Sequence, residues 1–177
     1  MMHDDTRVVH SGRHPASFHG AVNPPVYHAS TILSETVEEF EKRGRTTELA
    51  RHTSYGRKGS PTSWALEDAI AELEGGFACL TFPSGIAAVG NALLAFLNAG
   101  DHLLMVDSVY GPTRDFCNKY LARFGVETTF YDPCIGSVLK ELIRPNTKLL
   151  FLESPGSQTF EVQDVPTLST IAHAHQL

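Results

Sequence analysis

Apolar and polar positions along the chain follow two regimes that meet near residue 61. Before it, no sustained period is visible. Val8, Val9, Phe18, Val22, Val26 and Tyr27 are scattered among Gly12, Pro15, Gly20 and the pair Pro24-Pro25. Residues 1–33 therefore predict an extended arm that packs on another surface. A short amphipathic helix is expected from Ser34 to about Arg43, with Val37 and Phe40 set among Glu38, Glu39, Glu41 and Lys42. Residues 44–61 return to an irregular polar pattern. No internal repeat or low-complexity tract is present.

From Thr62 the pattern becomes regular. Trp64, Leu66, Ile70 and Leu73 recur at helical spacing, and Gly75-Gly76 ends that helix. Four runs of strand length follow: the mostly apolar Phe77 to Phe82, the apolar Leu103 to Val106, Val126 to Tyr131, and Lys148 to Glu153 with LLFL inside it. Helical patterns separate them at Ile86 to Leu97, around Phe116 to Phe124, and at Val138 to Ile143; another begins at Leu168. Strands that are apolar throughout and alternate with helices predict an α/β fold with a parallel sheet covered on both faces. The expected organisation is an arm and interface segment over 1–61 and a sheet domain over 62–177. In such sheets ligands lie beyond the carboxyl ends of the strands. That rule selects residues 83–86, 107–111, 131–133 and 153–156. The chain ends inside a helical pattern at Ala172 to Leu177, which predicts a fragment with an uncovered apolar face.

Composition narrows the function classes. With 42% hydrophobic and 19% charged residues, the 177-residue chain has the material for a packed core. No apolar run nears the roughly 20 residues of a membrane helix, and the acidic start Met1 to Asp5 lacks a signal-like apolar region. The net charge is −6, so neither nucleic acid nor an anionic membrane is expected as a partner. Residues 1–60 carry eight Lys/Arg against seven Asp/Glu, and the rest six against thirteen. That asymmetry suits early arginines that reach an anion or another subunit. Cys79, Cys117 and Cys134 form neither a disulfide framework nor a metal-type pair, and a reduced, cytoplasmic compartment is expected. His173 and His175 are two apart on a helical pattern, and no His/Glu set has metal spacing.

Three places could carry chemistry. At Pro83-Ser84-Gly85-Ile86-Ala87-Ala88 a strand-like run turns into a helix of small residues, whose first amides lack intrahelical acceptors. Gly85 lets the backbone approach a ligand, so the turn can cradle a phosphate. It is neither a Walker A nor a Gly-x-Gly-x-x-Gly sequence. At Tyr55-Gly56-Arg57 a phenol and a guanidinium stand two residues apart, on one side if the segment is extended, and both suit phosphate. Tyr110 follows the second run and could stack on a planar ring.

These segments also carry a resemblance. Asn23-Pro24-Pro25-Val26-Tyr27 with Ser30-Thr31, Tyr55-Gly56-Arg57, Phe82 to Ala88, Tyr110-Gly111-Pro112-Thr113 and Glu153-Ser154-Pro155-Gly156-Ser157 stand in the order and spacing of the Cys/Met-metabolism pyridoxal-phosphate enzymes. The chain resembles the N-terminal part of such an enzyme over nearly its whole length. Residues 153–162 resemble the cystathionine β-lyase version, where γ-lyases and γ-synthases more usually have Ser/Thr-Asn-Pro after Glu-Ser-Pro. The resemblance implies the large domain of fold-type I pyridoxal-phosphate enzymes, aspartate-aminotransferase-like, here with an incomplete parallel sheet. It implies pyridoxal 5'-phosphate as cofactor and an amino-acid substrate. The reaction implied is β-elimination of cystathionine to homocysteine, pyruvate and ammonia. It assigns the cofactor phosphate to the amides of Gly85 and Ile86, joined by Tyr55 and Arg57 from the neighbouring subunit of a homo-oligomer with a composite active site. It places Tyr110 on the pyridine ring, near the substrate, as a catalytic residue.

The chain also departs from that pattern. The family's Schiff-base lysine lies in a Ser/Thr-x-Thr-Lys segment, and none of Lys42, Lys58, Lys119, Lys140 and Lys148 has that context. The aspartate that pairs with the pyridinium nitrogen has no counterpart here either. The 177 residues alone are therefore expected to lack a route to catalysis. A γ-lyase or γ-synthase, or a non-catalytic remnant that keeps only interaction surfaces, are the alternatives.

Overall fold

The computed structural model describes residues 3–45 and 52–177, and the chain divides into two compact units, 1–81 and 82–177. In the first unit α1 spans Asp4–His10, α2 Val37–Arg45 and α3 Pro61–Glu74, with single 3-10 turns at Pro15–Phe18 and Gly56–Lys58. The arm is thus not wholly extended. Asp4 and Asp5 sit in the first turn of α1 and Arg7 in its last, each charge complementing the helix dipole. Seven residues are too few to show a hydrophobic period, so the pattern could not announce this helix.

The arm packs on α3. Arg7 donates to the Glu72 carbonyl near the end of α3 (2.6 Å), and Tyr27 N–H donates to Thr62 Oγ1 (2.7 Å). A Cβ on Gly12 would stand 2.1 Å from the Ala65 carbonyl oxygen, so only glycine allows the approach. Helix α3 starts in a Ser60/Ser63 capping box and stops at Gly75, whose φ is +66°. Of the irregular stretch expected over 44–61, residues 46–51 lie outside the described residues.

The second unit holds α4 (Gly85–Phe96), β1 (His102–Val106), α5 (Gly111–Lys119), β2 (Glu127–Tyr131), β3 (Thr147–Phe151) and α6 (Val165–Ala174). The strands form a parallel sheet in the order β2-β1-β3. β1 is central and all five of its residues are fully buried. Leu93, Leu121, Leu139 and Leu168 close the core around it. Helix α6 buries Leu168 and Ala172 and packs on the 3-10 segment Gly136–Leu142.

Three of the four expected strands form. The run Phe77 to Phe82 does not. It has no ladder partner among the described residues, and Phe77 and Leu80 are 92% and 74% exposed. An apolar run of this length becomes a strand only when a neighbour takes its backbone groups.

The buried strand β1 also contains a histidine. His102 Nδ1 lies 2.8 Å from Thr147 Oγ1 and Nε2 2.8 Å from Thr129 Oγ1, so its ring spans all three strands. A neutral ring satisfies both hydroxyls as one donor and one acceptor. Burial lowers its pKa below 6.5, the Arg144 guanidinium lowers it further, and Glu127 opposes them. The unfolded chain thus binds the proton first as pH falls. The stability contributed by neutral His102 is complete above about pH 6.5 and declines below it. The urea midpoint is expected to fall between pH 7 and pH 5.5, and His102→Gln to flatten that slope. An equal slope in the variant would assign the dependence to other groups.

Candidate functional site

The residues after each strand line the carboxyl edge of the sheet. Helix α4 joins that edge through topology. Its C-terminus leads through Leu97 to Asp101 into the start of β1, and twelve helical residues span about the length of a five-residue strand. The N-terminus of α4 therefore lies on the side where β1 ends, as does the start of α5.

At that N-terminus Ser84 is extended (φ −160°, ψ 159°), and its Oγ accepts the Ala87 N–H at 3.2 Å. The Ala88 N–H goes to the Ser84 carbonyl (3.0 Å). The N–H groups of Gly85 and Ile86 have no acceptor among the described residues. A Cβ built on Gly85 meets nothing within 4 Å, so nothing in this unit crowds the backbone at that position. Two donors without an acceptor at the positive end of a helix, with open space at Gly85, fit a phosphate group.

Tyr110 caps α5 and is 51% exposed, leaving its ring free to meet a ligand. Its N–H is held by the Glu153 carboxylate, at 3.1 and 3.3 Å from the two oxygens. Beside it Arg114 donates to Asp107 Oδ1 (2.5 Å) and lies over the Phe130 ring, 4.1 Å from its centroid. Glu153 precedes the cis peptide Ser154-Pro155. Gln163 braces this turn from below: its side chain donates to the Glu153 carbonyl (2.8 Å), and its N–H to Ser154 Oγ (2.9 Å). The Tyr131 hydroxyl lies 3.0 Å from both Gln163 Oε1 and the Phe151 carbonyl oxygen. Burial pushes the Tyr131 phenol pKa up, so it remains a proton donor.

Gly85, Ile86 and Tyr110 thus share one edge of the second unit. Tyr55 and Arg57 form a separate pair on the first. Tyr55 is extended and bridges Thr31, but Gly56–Lys58 is a 3-10 turn, not an extended segment. The turn folds Arg57 onto Tyr55, with its guanidinium carbon 5.8 Å from the ring centroid. Arg57 also lines an open pocket of about 580 Å³ with Lys58, Trp64, Glu67 and Thr81. Glu153 and Gln163 gained no individual role from sequence reasoning. Glu153 had a signal, an acid at the end of a buried strand; Gln163 had none, because its contacts run back to β2 and β3.

Among the described residues no helix is long and apolar enough to cross a membrane. The profile of the Cys/Met metabolism PLP-dependent enzyme family matches residues 5–177. The cystathionine beta-lyase of Salmonella typhimurium is 46% identical over 165 residues, which are 93% of this chain and 41% of that protein. The cystathionine beta-lyase MetC of Escherichia coli is 44% identical over 164 residues, again 93% and 41%. The crystal structure of cystathionine gamma-lyase from Lactobacillus plantarum, complexed with L-serine, superposes with a TM-score of 0.87 at 31% identity, covering 99% of this chain and 43% of that one. The chain spans less than half the length of the curated relatives it matches.

Proposed function

The chain belongs to the Cys/Met metabolism pyridoxal-phosphate-dependent enzymes, and from this we propose that it is the cofactor-binding part of a cystathionine β-lyase. The observation that carries the reading is the N-terminus of α4, where the Gly85 and Ile86 amides have no acceptor among the described residues and a Cβ on Gly85 would meet open space. These amides hold the phosphate of pyridoxal phosphate. Tyr110 lies against the pyridine ring, positioned through its backbone by Glu153. Tyr55 and Arg57 reach the phosphate of a neighbouring subunit's cofactor in a homo-oligomer. The cofactor, when bound, supplies an electron sink for charge developing at the α-carbon of an amino-acid substrate. The division into an arm over 1–61 and a partial large domain over 62–177 follows from the same reading, as does a cytoplasmic location. None of the five lysines stands in the Ser/Thr-x-Thr-Lys context, so on this reading the 177 residues alone do not supply the family's Schiff-base lysine.

The β-lyase assignment rests on residues 153–162 and on the names of the relatives at 44% and 46% identity. A specific likeness favours one second reading, a γ-lyase. The products separate them. The protein that contains this chain, given cystathionine, is expected to release pyruvate and homocysteine. Release of 2-oxobutyrate and cysteine would establish the γ-lyase instead.

A further inference from the structure

The loop after β3 touches the loop after β1 at three points around Tyr110. The Glu153 carboxylate accepts the Tyr110 N–H. The Ser157 N–H donates to the Ser108 carbonyl at 2.7 Å. Gly156 is buried, and a Cβ built on it would stand 2.5 Å from Ser108 Oγ and 2.6 Å from Ser108 Cβ. The second distance matters more, because a Cβ is fixed to the backbone and cannot rotate away. The Gly156 loop is itself closed: its N–H donates to the Glu161 carbonyl (2.8 Å), and the Phe160 N–H returns to the Gly156 carbonyl (3.1 Å). It therefore cannot back off freely. Ser108 Oγ is buried without a hydrogen-bond partner, so what seats this side chain is its shape.

We propose that Glu153 and the Ser108/Gly156 contact are a two-point clamp that positions Tyr110, and that residues 108 and 156 form a matched pair in which a side chain at 156 requires glycine at 108. The proposal rests on the reading of Tyr110 as a ring-stacking residue. Glu153, Ser108 and Gly156 act through it and touch no substrate.

Amide hydrogen exchange in the full 177-residue chain, read residue by residue by NMR, tests the clamp, and pyridoxal-phosphate affinity is measured in parallel. Glu153→Ala is expected to speed exchange at the Tyr110 amide about ten- to hundredfold, the loss of one hydrogen bond to a charged acceptor. Glu153→Gln keeps a carbonyl acceptor and should recover most of it. Gly156→Ala should speed exchange at both Ser157 and Tyr110. Ser108→Gly should reverse that effect, and Ser108→Ala should not, since it retains the Cβ. Unchanged Tyr110 exchange in Glu153→Ala overturns the clamp. Equal rescue by Ser108→Ala and Ser108→Gly overturns the matched pair. Should Gly156→Ala not fold, rescue of folding by Ser108→Gly alone decides the pair and Glu153→Ala decides the clamp. Faster exchange with unchanged cofactor affinity upholds the clamp and overturns the stacking role of Tyr110.

Discussion

Leu104→Ala is expected to lower the unfolding free energy by about 2–5 kcal/mol, the range for truncating a buried leucine. Leu104 is the middle residue of β1, flanked by Thr129 on β2 and Leu150 on β3, and is 0% exposed. Ladders on both sides fix the β1 backbone, so it cannot shift toward the packed face to fill the space left behind. Small domains are stable by only about 5–15 kcal/mol in total. The loss should therefore appear as a large fall in the urea midpoint at unchanged slope. Leu94→Ala is the control. Leu94 lies on α4 and is 53% exposed, and its loss should stay within about 0.5 kcal/mol. Equal effects from the two would mean that β1 is not the centre of the core.

Arg57→Ala is expected to weaken pyridoxal-phosphate binding about ten- to hundredfold in the protein that contains this chain. A charge-assisted hydrogen bond contributes about 1.5–3 kcal/mol, at about 1.4 kcal/mol per decade. Arg57 is exposed and, among the described residues, stacks on Tyr55, so stability without cofactor should change far less. Arg57→Lys should recover only part, because an ammonium lacks the planar fork. Since the proposed site is composite, mixing Arg57→Ala with Tyr110→Ala subunits should restore some activity in hybrids. One site there has an intact Tyr110 and its neighbour's intact Arg57. Unchanged affinity, measured by titrating the apoenzyme, would make Tyr55-Gly56-Arg57 a surface turn.

The sheet was legible because its central strand is buried throughout and its neighbours are largely part-buried. Leu103 to Val106, read as a buried strand, is the centre of the sheet, and glycines at 75, 100 and 125 mark turns with positive φ. Phe77 to Phe82 is likewise mostly apolar and forms no ladder among the described residues, because strand pairing needs a neighbour. Helix α1 was hidden for the opposite reason, with charges at its ends and no apolar stripe. At the site, Ser84-Gly85 was readable because a helix start is local. The Glu153 contact with Tyr110 spans 43 residues and the Gly156 contact with Ser108 spans 48, and no local pattern encodes either.

The central claim is that the first turn of α4 holds the phosphate of the cofactor. Chemical-shift perturbation of backbone amides in the 177-residue chain, titrated with pyridoxal phosphate, measures it directly. The account predicts that the Gly85 and Ile86 amides move most, that inorganic phosphate competes for them, and that pyridoxal without its phosphate leaves them in place. Perturbation by pyridoxal phosphate that spares Gly85 and Ile86, or that pyridoxal reproduces in full, would contradict it.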